Sequence, residues 1–218
     1  MPRRRDDLRR RRAFTEPRPS VLICCEGEVT EPTYLNGLKN ELRIRLVRIQ
    51  VVPVGQDPKK LVDYAVDEKR RSEREARKSG DANLEYDEVW CVFDVDSHAH
   101  IPDAKQKANA NGIHLAISNP CFELWLLLHF ENRTAHIERQ QAQSCCRGHM
   151  PRYEKEVPFN QIFPFYQLAV QRAWDLEHWQ ATRGNQGGNP STGVHRLTER
   201  VKELGREEQL KKHQHTRR

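Results

Sequence analysis

Two unbroken apolar runs of five residues, Val21-Leu22-Ile23-Cys24-Cys25 and Val89-Trp90-Cys91-Val92-Phe93, each stop abruptly at acids. Runs this short and this apolar read as strands covered on both faces, as in a parallel sheet. After the first, Tyr34, Leu35, Leu38 and Leu42 recur at helical spacing, with Pro32 where a helix can begin. Residues 44–54 roughly alternate and close at Gly55, predicting a further strand. Asp57-Pro58 predicts a capped helix running to about Lys78, with apolar positions only in its first half. Gly80 to Tyr86 reads as a loop. A short helix over Pro102–Asn111, a turn at Asn111-Gly112 and a fourth strand over Ile113–Ile117 follow the second apolar run. Asn119-Pro120 then predicts a cap and first turn for a helix from Cys121 to about Phe130 that is apolar nearly all round, and therefore internal. Strands alternating with helices four times predict an α/β domain built on a parallel sheet.

Beyond Glu131 the pattern dissolves into polar residues until about Asn160. It resumes as an amphipathic helix over Gln161–Thr182, whose apolar side takes in Phe165, Leu168, Ala169, Ala173, Leu176 and Trp179. After a glycine-rich loop, Gly184 to Asn189, the sequence Asn189-Pro190-Ser191-Thr192 predicts the start of a last helix with Val194, Leu197, Val201 and Leu204 on one stripe. The organisation expected is a basic disordered arm over 1–18, an α/β domain over 19–130, a helical C-terminal region over 131–206 and a basic tail over 207–218.

Charge sharpens this division. The net charge of the 218 residues is +6, but residues 1–12 carry +5 and residues 211–218 carry +4, which leaves −3 for the body. The basic ends suit a salt-sensitive, non-specific grip on phosphates, and they equally suit solubility. The six cysteines show no Cys-x-x-Cys spacing, and three lie in strand-like runs where a reduced thiol is a small core residue. A cytoplasmic protein is expected, with no secretory signal and no membrane span.

The acids carry the chemistry. Asp94 and Asp96 are two apart, so on an extended chain their side chains share a face that His98 continues. Clustered carboxylates repel unless a cation lies between them, and oxygen ligands suit Mg²⁺ or Mn²⁺. A solvated turn explains the same residues without metal. Glu26 sits where Gly27 lets the chain turn off the first strand. Glu28 and Glu31 either join it or serve as favourable acids at a helix N-terminus. The same pair of readings applies to Glu123. Asn119 reads as a helix cap or a substrate contact, and Ser191 and Thr192 as caps or a phosphate site. Cys145-Cys146-Arg147-Gly148-His149 is a poor zinc site, because adjacent cysteines do not readily give tetrahedral geometry. No Walker motif occurs, so the chain is not expected to hydrolyse ATP.

Glu-Gly after one strand and Asp-x-Asp after a later one resemble the Toprim domain of topoisomerases, primases and OLD-type nucleases. Four longer signatures resemble the RloB-like family, a Toprim-related group, across roughly residues 19–204. They are Glu26-Gly27-Glu28-x-Thr30-Glu31-Pro32-x-Tyr34, Asp94-x-Asp96-x-His98, Ser118-Asn119-Pro120-Cys121-Phe122-Glu123-x-Trp125-Leu126-Leu127-Leu128-His129-Phe130 and Asn189-Pro190-Ser191-Thr192. That family is associated with phage-defence loci, often beside a gene for an ABC-type ATPase, and includes abortive-infection proteins. The resemblance implies a Toprim-like sheet, with Glu26 as the acid of the Glu-Gly motif and Asp94 and Asp96 as metal ligands. The expectation is a Mg²⁺- or Mn²⁺-dependent endonuclease in antiviral defence, acting on RNA, including tRNA, in preference to DNA. Its catalytic set is Glu26, Asp94, Asp96 and His98. Glu31 and Glu123 are further ligand candidates, and Asn119, Ser191 and Thr192 are candidates for substrate binding. The competing expectation is a non-catalytic module that binds the partner ATPase or a nucleotide. A nucleotidyl transferase on the same metal scaffold is a third.

Overall fold

The computed structural model describes residues 20–44, 47–51, 57–95, 100–151, 153–154 and 156–216. The expected arm over 1–18, Asp96 and His98 lie outside these residues. The first half of the chain alternates as read: β1 (Val21–Cys25), α1 (Thr30–Glu41), β2 (Val47–Val51), α2 (Pro58–Ser79), β3 (Glu88–Asp94), α3 (Ile101–Asn111) and β4 (His114–Asn119). The second half is helical: α4 (Glu123–Leu128), α5 (Arg139–His149), α6 (Phe159–Ile162) and α7 (Tyr166–Ala181) precede a two-residue strand β5 (Ser191–Thr192) and α8 (Val194–Thr216).

The sheet order is β2-β1-β3-β4-β5, with β1 to β4 mutually parallel and β5 antiparallel to β4. From β1 the chain moves outward to β2, and from β3 it moves outward the other way to β4. The direction of winding therefore reverses between β1 and β3, and at such a switch point the strand ends open a crevice.

Period-two alternation sends each strand's side chains to two separate cores. Leu22, Cys24, Val89, Cys91 and Phe93 pack with Leu61, Val62 and Ala65 of α2 and Ala104 and Ala108 of α3. Val21, Ile23, Cys25, Trp90 and Val92 face the other way, into a larger core built from α1 and α4 to α8. All six residues of α4 are buried there, and each buried leucine contributes roughly 1.5–3 kcal/mol. Helix α1 and the C-terminal helices together cover this face of the sheet, and Val194, Leu197, Val201 and Leu204 of α8 all lie in that core as their stripe predicts.

Local signals explain several boundaries. The Asp57 side chain accepts hydrogen bonds from the Lys59 and Lys60 amides, and Gly80, at φ 70°, ends the same helix in the left-handed region. Other expectations are corrected. The Asn119-Pro120 peptide is cis, Asn119 is the last residue of β4, and α4 starts only at Glu123, so Asn119 caps no helix. Ser191 and Thr192 form β5 instead of the first turn of α8. The polar stretch after Glu131 contains α5, which buries only Ala142 and Cys146, too few to mark the sequence with a period. The expected helix over 161–182 is split around Pro164 into α6, a 3-10 turn and α7. Its buried side takes Tyr166, Ala169, Val170, Ala173 and Leu176, while Phe165 and Leu168 are exposed. Finally, α8 continues to Thr216, so the backbone of 207–216, in the expected basic tail, is helical.

Candidate active site at the ends of the central strands

The site starts from the register of the two central strands. Cys25, the last residue of β1, pairs with Val92, and the Glu26 amide extends the ladder by donating to the Val92 carbonyl at 3.1 Å. Glu26 therefore leaves β1 beside the end of β3, where Asp94 is the terminal residue. Asp94 shares the parity of Trp90 and Val92, which places it on the α1/α4 side of the sheet. Across from it stands Ser118 of β4, whose carbonyl accepts the Val95 amide at 2.8 Å.

Two helices add acids to this crevice. Glu31 lies in the first turn of α1 and is 6% exposed. A Cβ placed on Gly27 would overlap the Glu31 carboxyl. Gly27 is not in the left-handed region, so what it supplies is space for Glu31 and not the sharp turn expected from its sequence position. Glu123, the first residue of α4, is 5% exposed, and its Oε1 accepts the Tyr153 hydroxyl at 3.0 Å and the Gln143 amide at 3.2 Å. Arg139 opens α5 with a charged hydrogen bond from Nη2 to Asp94 Oδ2 at 2.9 Å.

Each carboxylate raises the cost of ionising its neighbours. Burial pushes Asp94 well above the usual carboxylate range. Glu31, Glu123 and Glu26 add to that rise, and the Arg139 guanidinium opposes it. Burial likewise lifts Glu31 to about 7; Glu123 and Glu26 reinforce the shift, while a backbone hydrogen bond and Arg139 restrain it. The adjoining thiol of Cys121 is also driven upward, mainly by burial and then by Glu123 and Asp94. A group of four oxygen acids, three of them buried, with one guanidinium calls for positive charge.

The donor chemistry fits a hard divalent cation such as Mg²⁺ or Mn²⁺. Among the described residues, no three His, Cys, Asp or Glu side chains converge closely enough to hold an ion as they stand. Asp96, the remaining expected ligand, is outside them. Arg139 occupies Asp94 Oδ2, so it competes with a cation for that oxygen.

Of the expected site residues, Glu26, Glu31, Asp94 and Glu123 are brought together. Asn119, Ser191 and Thr192 belong instead to the β4–β5 corner. Asn119 pairs with Ser191 and donates its amide to the Gly187 carbonyl at 3.0 Å. Thr192 Oγ1 lies 3.1 Å from Ser118 Oγ and accepts the Val194 amide at 3.2 Å. Sequence reasoning missed Arg139, Gln143 and Tyr153. The spacing of Arg139, Gln143 and Arg147 was the available signal, four apart on one helical stripe.

Fold and site define the class: an α/β protein with a Toprim-like parallel sheet, carrying clustered acids at its switch point and a helical layer over one face. Residues 21–201 match the model of the RloB-like protein family, and the chain belongs to that family. Neither the curated proteins nor the solved structures gave a match to it. Among the described residues, no helix is long and apolar enough to cross a membrane.

Proposed function

We propose that this chain is a metal-dependent nuclease that hydrolyses phosphodiester bonds, RNA (tRNA included) before DNA, in cytoplasmic antiviral defence of the abortive-infection kind, with an ABC-type ATPase as partner. The observation that carries the reading is the meeting of Glu26 and Asp94, from the ends of adjacent central strands, with Glu31 and Glu123 at one switch point. Glu26, Asp94 and Asp96 would hold Mg²⁺ or Mn²⁺, with Glu31 and Glu123 beside them. When bound, the ion supplies charge that polarises the scissile phosphate and makes a water acidic enough to attack it. Glu31, in the first turn of α1 beside these ligands, is placed to take a proton from that water. Glu123 is fixed by Tyr153 and Gln143 and keeps the acid crest in place. His98 remains the proposed proton donor to the leaving oxygen.

The test is incubation of the purified full-length chain with total tRNA and with plasmid DNA, in Mg²⁺, Mn²⁺ or chelator, beside Asp94→Ala. The expected result is cation-dependent cutting that falls at least 100-fold in the variant. Cutting that persists in chelator, or in Asp94→Ala, would defeat the reading. A second reading is favoured by Arg139 on Asp94: a module held closed by its own guanidinium, which binds the partner ATPase or a nucleotide without chemistry. Adding the ATPase and ATP separates the two, since a restrained nuclease begins to cut and a binding module does not.

A further inference from the structure

Helix α5 presents one polar stripe to the acid site. Its buried side is fixed by Ala142 and Cys146, and the Cys146 thiol lies against the Glu123 carbonyl at 3.5 Å. That anchoring sets the adjacent stripe, Arg139, Gln143 and Arg147, along the edge of the site. The three contact it in sequence. Arg139 is ion-paired to Asp94, Gln143 donates to Glu123, and Arg147 lines a cleft of about 400 Å³ with Glu123, Gln143, Tyr153 and Glu154. Exposure rises along the stripe, from the half-buried Arg139 and Gln143 to the exposed Arg147. Eight residues of helix separate the two arginines by about 12 Å. Among the described residues Arg147 makes no ion pair, although it stands in a cleft with two glutamates.

A phosphodiester approaching four carboxylates is repelled, so a site of this composition needs fixed cations on the approach side. Guanidinium groups suit that role, because their planar fork meets two phosphate oxygens at once. The cleft volume falls within the range of about 300–1,000 Å³ that takes small organic ligands.

We propose that α5 is the nucleic-acid track of this protein: Arg139 receives the phosphate next to the acid site, and Arg147 receives a neighbouring phosphate, with the intervening nucleotide in the cleft beside Gln143 and Tyr153. This rests on the nuclease reading for its substrate but not for its test. Arg139 thereby has two partners, Asp94 without substrate and the phosphate with it. Arg147 is a binding residue outside the reacting centre.

The probe is a fluorescein-labelled single-stranded 12-mer, as RNA and as DNA of the same sequence. Its binding to the full chain is followed by anisotropy in chelator over a range of salt. Arg147→Ala and Arg139→Gln each weaken binding roughly tenfold and reduce the slope of log affinity against log salt by about 0.7. Arg147→Lys keeps most of the affinity. Arg77→Ala, an equal loss of charge on α2 across the sheet, changes little. Unchanged affinity and slope in Arg147→Ala, with an unchanged thermal midpoint, would overturn the inference while leaving the nuclease reading intact. No binding by the unaltered chain would overturn it as well. Binding that is lost in the α5 variants, without cutting of either 12-mer in Mg²⁺ or Mn²⁺, would uphold the track and count against the nuclease.

Discussion

Glu31 shows how one side chain couples stability to function. Its folded proton affinity, about 7 against an ordinary 4.5, means that the folded chain holds a proton that the unfolded chain releases. Stability from this group is therefore present below pH 4.5 and is lost as the pH rises through 7. Without metal at pH 8, Glu31→Gln is expected to be more stable than the unaltered chain by up to about 3 kcal/mol. The two thermal midpoints should converge below pH 5. Addition of Mn²⁺ at pH 8 should raise the midpoint of the unaltered chain more than that of the variant. Thermal melts across pH, with and without Mn²⁺, check both statements. A variant less stable at pH 8, or equally responsive to Mn²⁺, would contradict them. Glu26 and Asp94 were legible in the sequence because each closes an apolar run, and Glu31 and Glu123 because each stands near the start of an expected helix. Arg139 and Gln143 share a four-residue spacing, but their helix buries too little to be recognised from its pattern, and Tyr153 reaches the site through a tertiary contact alone.

At the level of elements, legibility followed burial. Both-face burial made β1 and β3 plain, and α2 was marked by its cap and its terminal glycine. Helix α5 buries two small residues, and Phe165 before α7 and Leu168 within it face solvent although an apolar stripe through them fits a helix. Periodicity measures how apolar a face is, and the docking of neighbours decides which face is covered. The junction of α1 and α6 illustrates such docking, since a Cβ on Gly37 would overlap the Phe159 ring. Gly37→Ala gains up to about 1 kcal/mol in helix propensity, yet overpacking of about 1–3 kcal/mol should make it net destabilising. Pairing it with Phe159→Leu should recover part of the loss, read as a positive coupling in denaturant unfolding. Strict additivity of the two changes would show that the contact is not the cause.

Across the whole molecule, two internal histidines pull the response to acid the other way from Glu31. His129 lies between the Trp125 carbonyl, 3.0 Å from Nδ1, and the Tyr34 hydroxyl, 3.3 Å from Nε2. His195 is fully buried, with Nε2 3.2 Å from Glu177. Burial lowers both from 6.5 to about 4, against a smaller opposing pull from Glu177 on His195. The unfolded chain takes up these protons first, so the contribution of the two histidines is complete above pH 6.5, falls by several kcal/mol towards pH 4 and then levels, against the opposite trend from Glu31. The difference between the urea midpoints of the unaltered chain and His129→Gln, followed from pH 7 to 4, isolates the His129 part: the variant should gain relative to the unaltered chain as the pH falls, and a constant difference would contradict it. The larger core has one more consequence, which concerns time. It joins β1, near the start of the described chain, to Val201 and Leu204 of α8 near its end. On a ribosome the acids at positions 26, 31, 94 and 123 emerge well before the layer that closes over their sheet. The nascent chain therefore carries its reactive groups unassembled, and synthesis itself delays the appearance of whatever chemistry they perform until the last helix is free.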